Sequence, residues 1–97
     1  WISGASGDEH CDALLTQTGD TILKHIPELR FKHLVGEYCT ASAFAVWLGA
    51  SIIQKQVIPP SVQFGDRSMP ASVGKVLIIN QYMGRNYSMI LLDQLPA

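Results

Sequence analysis

The spacing of apolar positions changes several times along the chain. Residues 1–3 (Trp1, Ile2, Ser3) read as the end of a strand, and Ser3-Gly4-Ala5-Ser6-Gly7 forms a small-residue turn behind them. Over residues 9–23, Ala13, Leu14, Thr18 and Ile22 recur roughly on one face at helical spacing. Ser6 and Glu9 stand at capping-box spacing ahead of that helix, and Asp8 is a second candidate cap. Gly19 weakens the helix and Pro27 bars its continuation. Leu29, Phe31, Leu34 and Val35 then predict a short strand over 29–35, broken by Gly36.

A second helix starts from a cap at Thr40 or Ser42 and runs to about residue 56. Ala43, Phe44, Ala45, Val46, Trp47, Leu48, Ala50, Ile52 and Ile53 make it apolar almost all round, which predicts burial on most sides. Pro59-Pro60 interrupts the chain after this helix, and the polar, Gly/Pro/Ser-containing residues 61–73 read as loop. Residues 75–79 are a continuous β-branched-rich run, the pattern of a central strand covered on both faces. Met83-Gly84-Arg85 supplies a turn and residues 86–92 a returning strand, so the C-terminus is an antiparallel hairpin. The order β–α–β–α–β–β gives an α/β fold: a mixed β-sheet with a buried helix and a C-terminal β-hairpin, one domain over residues 1–97. A sheet of about four strands covers only one side of an all-apolar helix. The other side predicts contact with another chain, or with a further part of the same one, and hence an oligomer.

Composition narrows the class. The 97 residues are 47% hydrophobic and 15% charged, a globular balance. Seven basic and eight acidic residues give a formal net charge of −1, without the basic excess of a nucleic-acid binder. Two cysteines are too few for a disulfide scaffold. The low-polarity run 41–53 falls short of a bilayer span, and no basic region followed by a long apolar run marks a signal peptide. The expectation is a cytoplasmic protein without membrane partners; a start at Trp1 also fits a piece of a longer chain.

Candidate chemistry is sparse. His33 and Glu37 are four apart, but two ligands without a third are not a metal site. Contiguous His10, Cys11 and Asp12 read as a solvated helix face. The 3–7 turn lacks the Gly-Lys-Ser/Thr of a nucleotide loop and reads as a plain turn. Asn86-Tyr87-Ser88 fits a glycosylation sequon but falls in a strand of a chain with no secretion signal. Lys24, His25, Arg30, Lys32 and His33 gather positive charge that reads first as a solvated face. Phe44, Trp47 and Cys39 read as core. No metal or cofactor is expected.

Four segments in order resemble the C-terminal portion of a β-ketoacyl-[acyl carrier protein] synthase, in the thiolase-like superfamily. They are Lys32-His33-Leu34-Val35-Gly36-Glu37 leading into Thr40-Ala41-Ser42-Ala43; Val57-Ile58-Pro59-Pro60-Ser61-Val62; Val76-Leu77-Ile78-Ile79-Asn80; and Asn86-Tyr87-Ser88-Met89-Ile90-Leu91-Leu92. Ser3-Gly4-Ala5, with Asp8, falls where that family has His-Gly-Thr followed by Gly-Asp. The resemblance implies a partial thiolase-like layer. It also implies a role in fatty-acid or polyketide biosynthesis as a 3-oxoacyl-[acyl carrier protein] synthase, an acyltransferase. The partners it implies are acyl carrier protein and either a ketosynthase subunit or an N-terminal half of the same chain.

The departures from the family bear on activity. Such enzymes use a Cys nucleophile from their N-terminal half and two His; Ser3 and Glu37 stand at the His positions, while Lys32 and Gly36 are kept. Condensation passes through an enolate that needs hydrogen-bond donors. An ionised Glu37 only accepts, and at about 4 Å and a dielectric of about 20 its repulsion of the enolate is on the order of 4 kcal/mol. Ser3 donates one neutral hydrogen bond and shuttles no proton near neutrality. The degenerate positions Ser3, Lys32 and Glu37 are therefore expected to converge on a pocket without completing a catalytic site, as in a chain-length-factor subunit. Two other readings are a free-standing interaction or oligomerisation module with no acyl chemistry, and an enzyme using the Cys11 or Cys39 thiol.

Overall fold

Ile2 and Ser3 form the middle strand of the sheet. In the computed structural model, which describes residues 1–37, 41–66 and 68–95, this short strand, β1 (Ile2–Ser3), lies between two parallel neighbours. They are β2 (Glu28–Arg30) and β4 (Lys75–Tyr82). The edges are β3 (Gln63–Phe64), antiparallel to β2, and β5 (Asn86–Asp93), antiparallel to β4. The mixed five-stranded sheet has the order β3-β2-β1-β4-β5. The α/β class, the mixed sheet and the C-terminal hairpin are as expected, and β4 is an interior strand covered on both faces, as its β-branched run predicts. Strand β3 falls within the segment read as loop; two residues carry too little pattern to mark a strand, and the pairing of Glu28 with Phe64 creates it.

Period-two alternation along β4 sends its side chains to two cores. Val76 and Ile78 join Ile2, Leu29 and Phe31 beneath helix α3 (Ala41–Lys55), which contributes Ala41, Ala45, Leu48 and Ile52. Leu77 and Ile79 face the opposite side, where Trp1, Ala5 and Leu23 meet Leu15 of helix α1 (Ala13–Asp20). Among the described residues, the sheet is thus sandwiched between α1 and α3.

Three expectations are corrected by this arrangement. The helix expected over 9–23 is confined to α1. Residues 9–12 form turns instead, with Asp8 accepting the backbone N–H groups of His10 at 2.9 Å and Cys11 at 3.4 Å. The strand expected over 29–35 ends at Arg30 and is replaced by a one-turn helix, α2 (Lys32–Val35), which stops at Gly36. Most consequentially, α3 is buried on one face only. Trp47 is 61% exposed, and Ala43 and Ala50 are also exposed. Phe44 is half-buried and stacks on Phe31 with ring centroids 5.9 Å apart. Trp47 is therefore not core within this chain. Cys39 and the proposed cap Thr40 lie outside the described residues.

The β4–β5 hairpin closes through Met83 and Gly84, both at positive φ (57° and 69°). That combination matches the twist of antiparallel strands and favours Gly. No described helix is long and apolar enough to cross a membrane.

Candidate functional site

The chain leaves β1 toward α1 on one face of the sheet and leaves β2 toward α2 and α3 on the other. Adjacent parallel strands whose connections depart to opposite faces open a crevice at their carboxyl ends, the usual ligand position in open α/β sheets. A cleft of 300 Å³ lies there, lined by Ala5, Ser6 and Gly7 after β1, Arg30 and His33 after β2, and Phe64 of β3. The Arg30 guanidinium sits 3.5 Å from the Phe64 ring centroid, and its Nε donates to Glu28 at 2.7 Å. His33 Nε2 donates to the Ser61 carbonyl at 2.7 Å. His33 is thus turned to Ser61 while Glu37 pairs with Lys32, and no group of three metal-ligating side chains occurs among the described residues.

The turn after β1 spends its N–H groups internally. Asp12 Oδ1 accepts from Ser6 N at 2.8 Å and Ser6 Oγ at 3.1 Å, and Asp12 Oδ2 accepts from Gly7 N at 2.9 Å. Ala5 N donates to Ser3 Oγ at 3.2 Å. With these donors engaged, the turn is structural, as its sequence reads. Asp12 corrects the expectation of a solvated helix face: it is buried because it is the acceptor that folds this turn.

Beside the turn lies a polar cluster. Lys32, whose side chain is 2% exposed, donates to Glu37 Oε1 at 2.7 Å and to the Gln81 carbonyl. The fully buried Gln81 amide stands between the two carboxylates. Its Nε2 donates to Gly4 O at 3.1 Å and reaches Asp12 Oδ1 and Glu37 Oε2, each at 3.4 Å. Its Oε1 accepts Gly84 N at 2.6 Å. Three acceptors thus share the two N–H bonds of one amide. Lys32 is a buried network member, not part of a solvated basic face; its alkyl stem packs inward because α2 turns it under the sheet's end.

Of the three residues expected to converge on a pocket, none lines the cleft, but Lys32 and Glu37 pair directly beside it. Ser3 is buried one residue before Gly4, which joins the same cluster, while its own hydroxyl serves the 3–7 turn. Sequence reasoning missed Gln81 and Asp12. The signal for Gln81 was present as a polar pair, Asn80-Gln81, inside an otherwise apolar strand. Buried Asn80 Oδ1 has no hydrogen-bond partner among the described residues.

Partial desolvation, followed by the negative charge and hydrogen bond of Asp8, pushes the Cys11 thiol above its ordinary pKa. A thiol so placed forms less thiolate, the reactive form, than a free one. Alkylation of Cys11 by iodoacetamide at neutral pH is expected to be slower than that of a free thiol, from that direction of shift. Mass spectrometry of the labelled peptide checks it, and Asp8→Asn should speed the reaction.

Comparison with protein-family models, curated proteins and solved structures finds no match to this chain.

Proposed function

We propose that these residues form the C-terminal portion of a 3-oxoacyl-[acyl carrier protein] synthase-like protein. It acts in fatty-acid or polyketide chain building without complete catalytic machinery in this portion. The sheet with α1 and α3 on its two faces is then one partial thiolase-like layer. The single observation that carries the reading is the meeting of Lys32, Glu37 and the turn after β1 at the carboxyl ends of parallel strands. These residues stand at the positions where the resemblance would place the two His and the Lys of a ketosynthase.

The electrostatics of the cluster oppose condensation there. Glu37 offers only acceptors, and its oxygens already engage Lys32 and Gln81. Asp12 adds a second carboxylate against the single ammonium of Lys32. A developing enolate beside this cluster meets net negative charge and an ammonium that is already engaged, the reverse of what oxyanion stabilisation needs. Arg30, whose Nε is paired with Glu28, lines the cleft with His33, and its guanidinium gives acidic acyl carrier protein a cationic contact. The exposed Trp47 face of α3 provides the surface for a ketosynthase subunit or an N-terminal half.

The test is binding and turnover with acyl- and malonyl-loaded acyl carrier protein. Binding is expected, weakened by Arg30→Glu, with no 3-oxoacyl product. Product from the unmodified chain would contradict the claim of an incomplete site, and absence of binding would contradict the ketosynthase-like reading.

The same exposed Trp47, Ala43 and Ala50 favour a second reading, an interaction module with no acyl chemistry. It predicts no affinity for acyl carrier protein in the same titration.

A further inference from the structure

The two edges of the sheet are unequal. At one end β3 is only two residues long, too short to template another strand. At the other, β5 runs for eight residues with no proline or lysine, its one charge being Asp93 at the end. Natural edge strands are normally blunted by such residues or covered. Among the described residues strand β5 is neither, and it presents exposed Tyr87, Met89 (69% exposed) and Leu91 on the α1 side of the sheet.

The backbone geometry fixes which groups are free. Gln94 N donates to Gly74 O, so residues 74 and 94 form a hydrogen-bonded pair. Alternation along the β4–β5 register then makes Lys75–Asp93, Leu77–Leu91, Ile79–Met89 and Gln81–Tyr87 the non-hydrogen-bonded pairs. The N–H and C=O groups of Tyr87, Met89, Leu91 and Asp93 therefore point outward, away from β4.

We propose that two copies of this chain associate edge to edge through β5, antiparallel about a dyad at Met89. An antiparallel pair related by a dyad is self-complementary, and side chains directly opposite share a face. With Met89 on the axis, Tyr87 of each copy lies opposite Leu91 of the other, an aromatic–aliphatic pair. Arg85, the last residue of the turn and exposed, then comes opposite Asp93 of the second copy. Asp93 is more than half exposed and already accepts Lys75 Nζ at 2.9 Å, leaving oxygen lone pairs for a second cation. Shifting the dyad to Ile90 loses this charge match and sets Tyr87 against Asp93. Charge complementarity selects the Met89 register. Because the opposite edge is only β3, pairing closes at two copies and does not propagate. This inference stands independently of acyl chemistry, since it uses neither Trp47 nor the residues of the cleft.

Sedimentation of the 97-residue chain with amide hydrogen exchange tests it. The expected result is a dimer in which the Tyr87, Met89 and Leu91 amides exchange slowly. Met89→Pro removes an N–H that β4 does not use, so the fold persists by circular dichroism while the dimer is lost. Arg85→Glu, on the exposed turn, sets like charges together twice across the dyad and weakens association about tenfold. A monomer would overturn the proposal. So would assemblies that survive Met89→Pro, or a dimer whose Tyr87, Met89 and Leu91 amides exchange freely.

Discussion

Glu37→Ala is expected to cost about 3 kcal/mol of folding stability or more, the magnitude seen when one partner of a buried ion pair is removed. The asymmetry of the pair sets this. Lys32 is almost wholly enclosed, whereas a quarter of the Glu37 side chain reaches solvent. Removing the carboxylate strands the ammonium against one backbone carbonyl, that of Gln81, in a place water does not reach. Removing Lys32 leaves a carboxylate that still touches solvent and the Gln81 amide, so Lys32→Met should cost less, about 1–3 kcal/mol. The double change Lys32→Met with Glu37→Leu removes both charges and should recover much of the loss. Urea denaturation of the parent, the two single variants and the double variant measures the coupling directly. If Glu37→Ala unfolds at the same urea concentration as the parent, the pair does not anchor this end of the sheet.

The pair also changes how an attempt to restore activity must be designed. Histidine at position 37 sets a neutral or cationic ring beside Lys32 and removes the countercharge. Histidine at position 3 must fit where Ser3 is fully buried. A Ser3→His, Glu37→His protein is therefore expected to be destabilised before its chemistry can be assayed, and Lys32 has to be changed with them.

The second large effect is expected at Gly4→Ala. A Cβ there would lie 2.1 Å from Asn80 Oδ1 and 2.8 Å from Asn80 Cα. The first clash could be relieved by rotating the Asn80 side chain; the second is with backbone and cannot. Gly4 N also donates to Ile79 O at 2.8 Å, continuing the β1–β4 pairing. Moving the strands apart would break that hydrogen bond and pull the Gly4 carbonyl from Gln81. Overpacking of this kind costs about 3 kcal/mol at the upper end of its usual range. Asn80→Ala in the same protein should rescue little, because the clash with the backbone of residue 80 remains. A thermal midpoint for Gly4→Ala equal to that of the parent would show that β1 does not pack against β4 this closely.

The sequence pattern was most informative where the period was long and undisturbed. The Val76–Ile79 run and its return over 86–92 mark the hairpin because β-branched residues and a Met-Gly turn agree at every level. It was least informative over residues 29–35, where Leu29, Phe31, Leu34 and Val35 suit a strand or a helical turn equally well. Lys32 decides between them: only the helical turn carries its ammonium under the end of the sheet to Glu37 and the Gln81 carbonyl. The all-apolar reading of α3 overstated its burial, since composition alone does not say how much surface a small sheet can cover; Trp47 is left outside. At the site, Lys32 and Glu37 were singled out in the sequence, and they meet in the structure. Gln81 was not, because it takes its role from Gly4, Asp12 and Glu37, all far away in sequence. Asp12 was missed for a different reason: its partners Ser6 and Gly7 are local, but beside His10 and Cys11 it reads as a surface residue.

The most direct test of the central claim, that these residues are the C-terminal part of a larger ketosynthase-like protein, is the mass of the native polypeptide in its source cell. An antibody raised against this chain should detect a band several times its own 10.6 kDa, and the sequence of that band should contain an N-terminal half to complete the layer against Trp47. A native mass near 10.6 kDa would contradict the claim and leave an interaction module in its place.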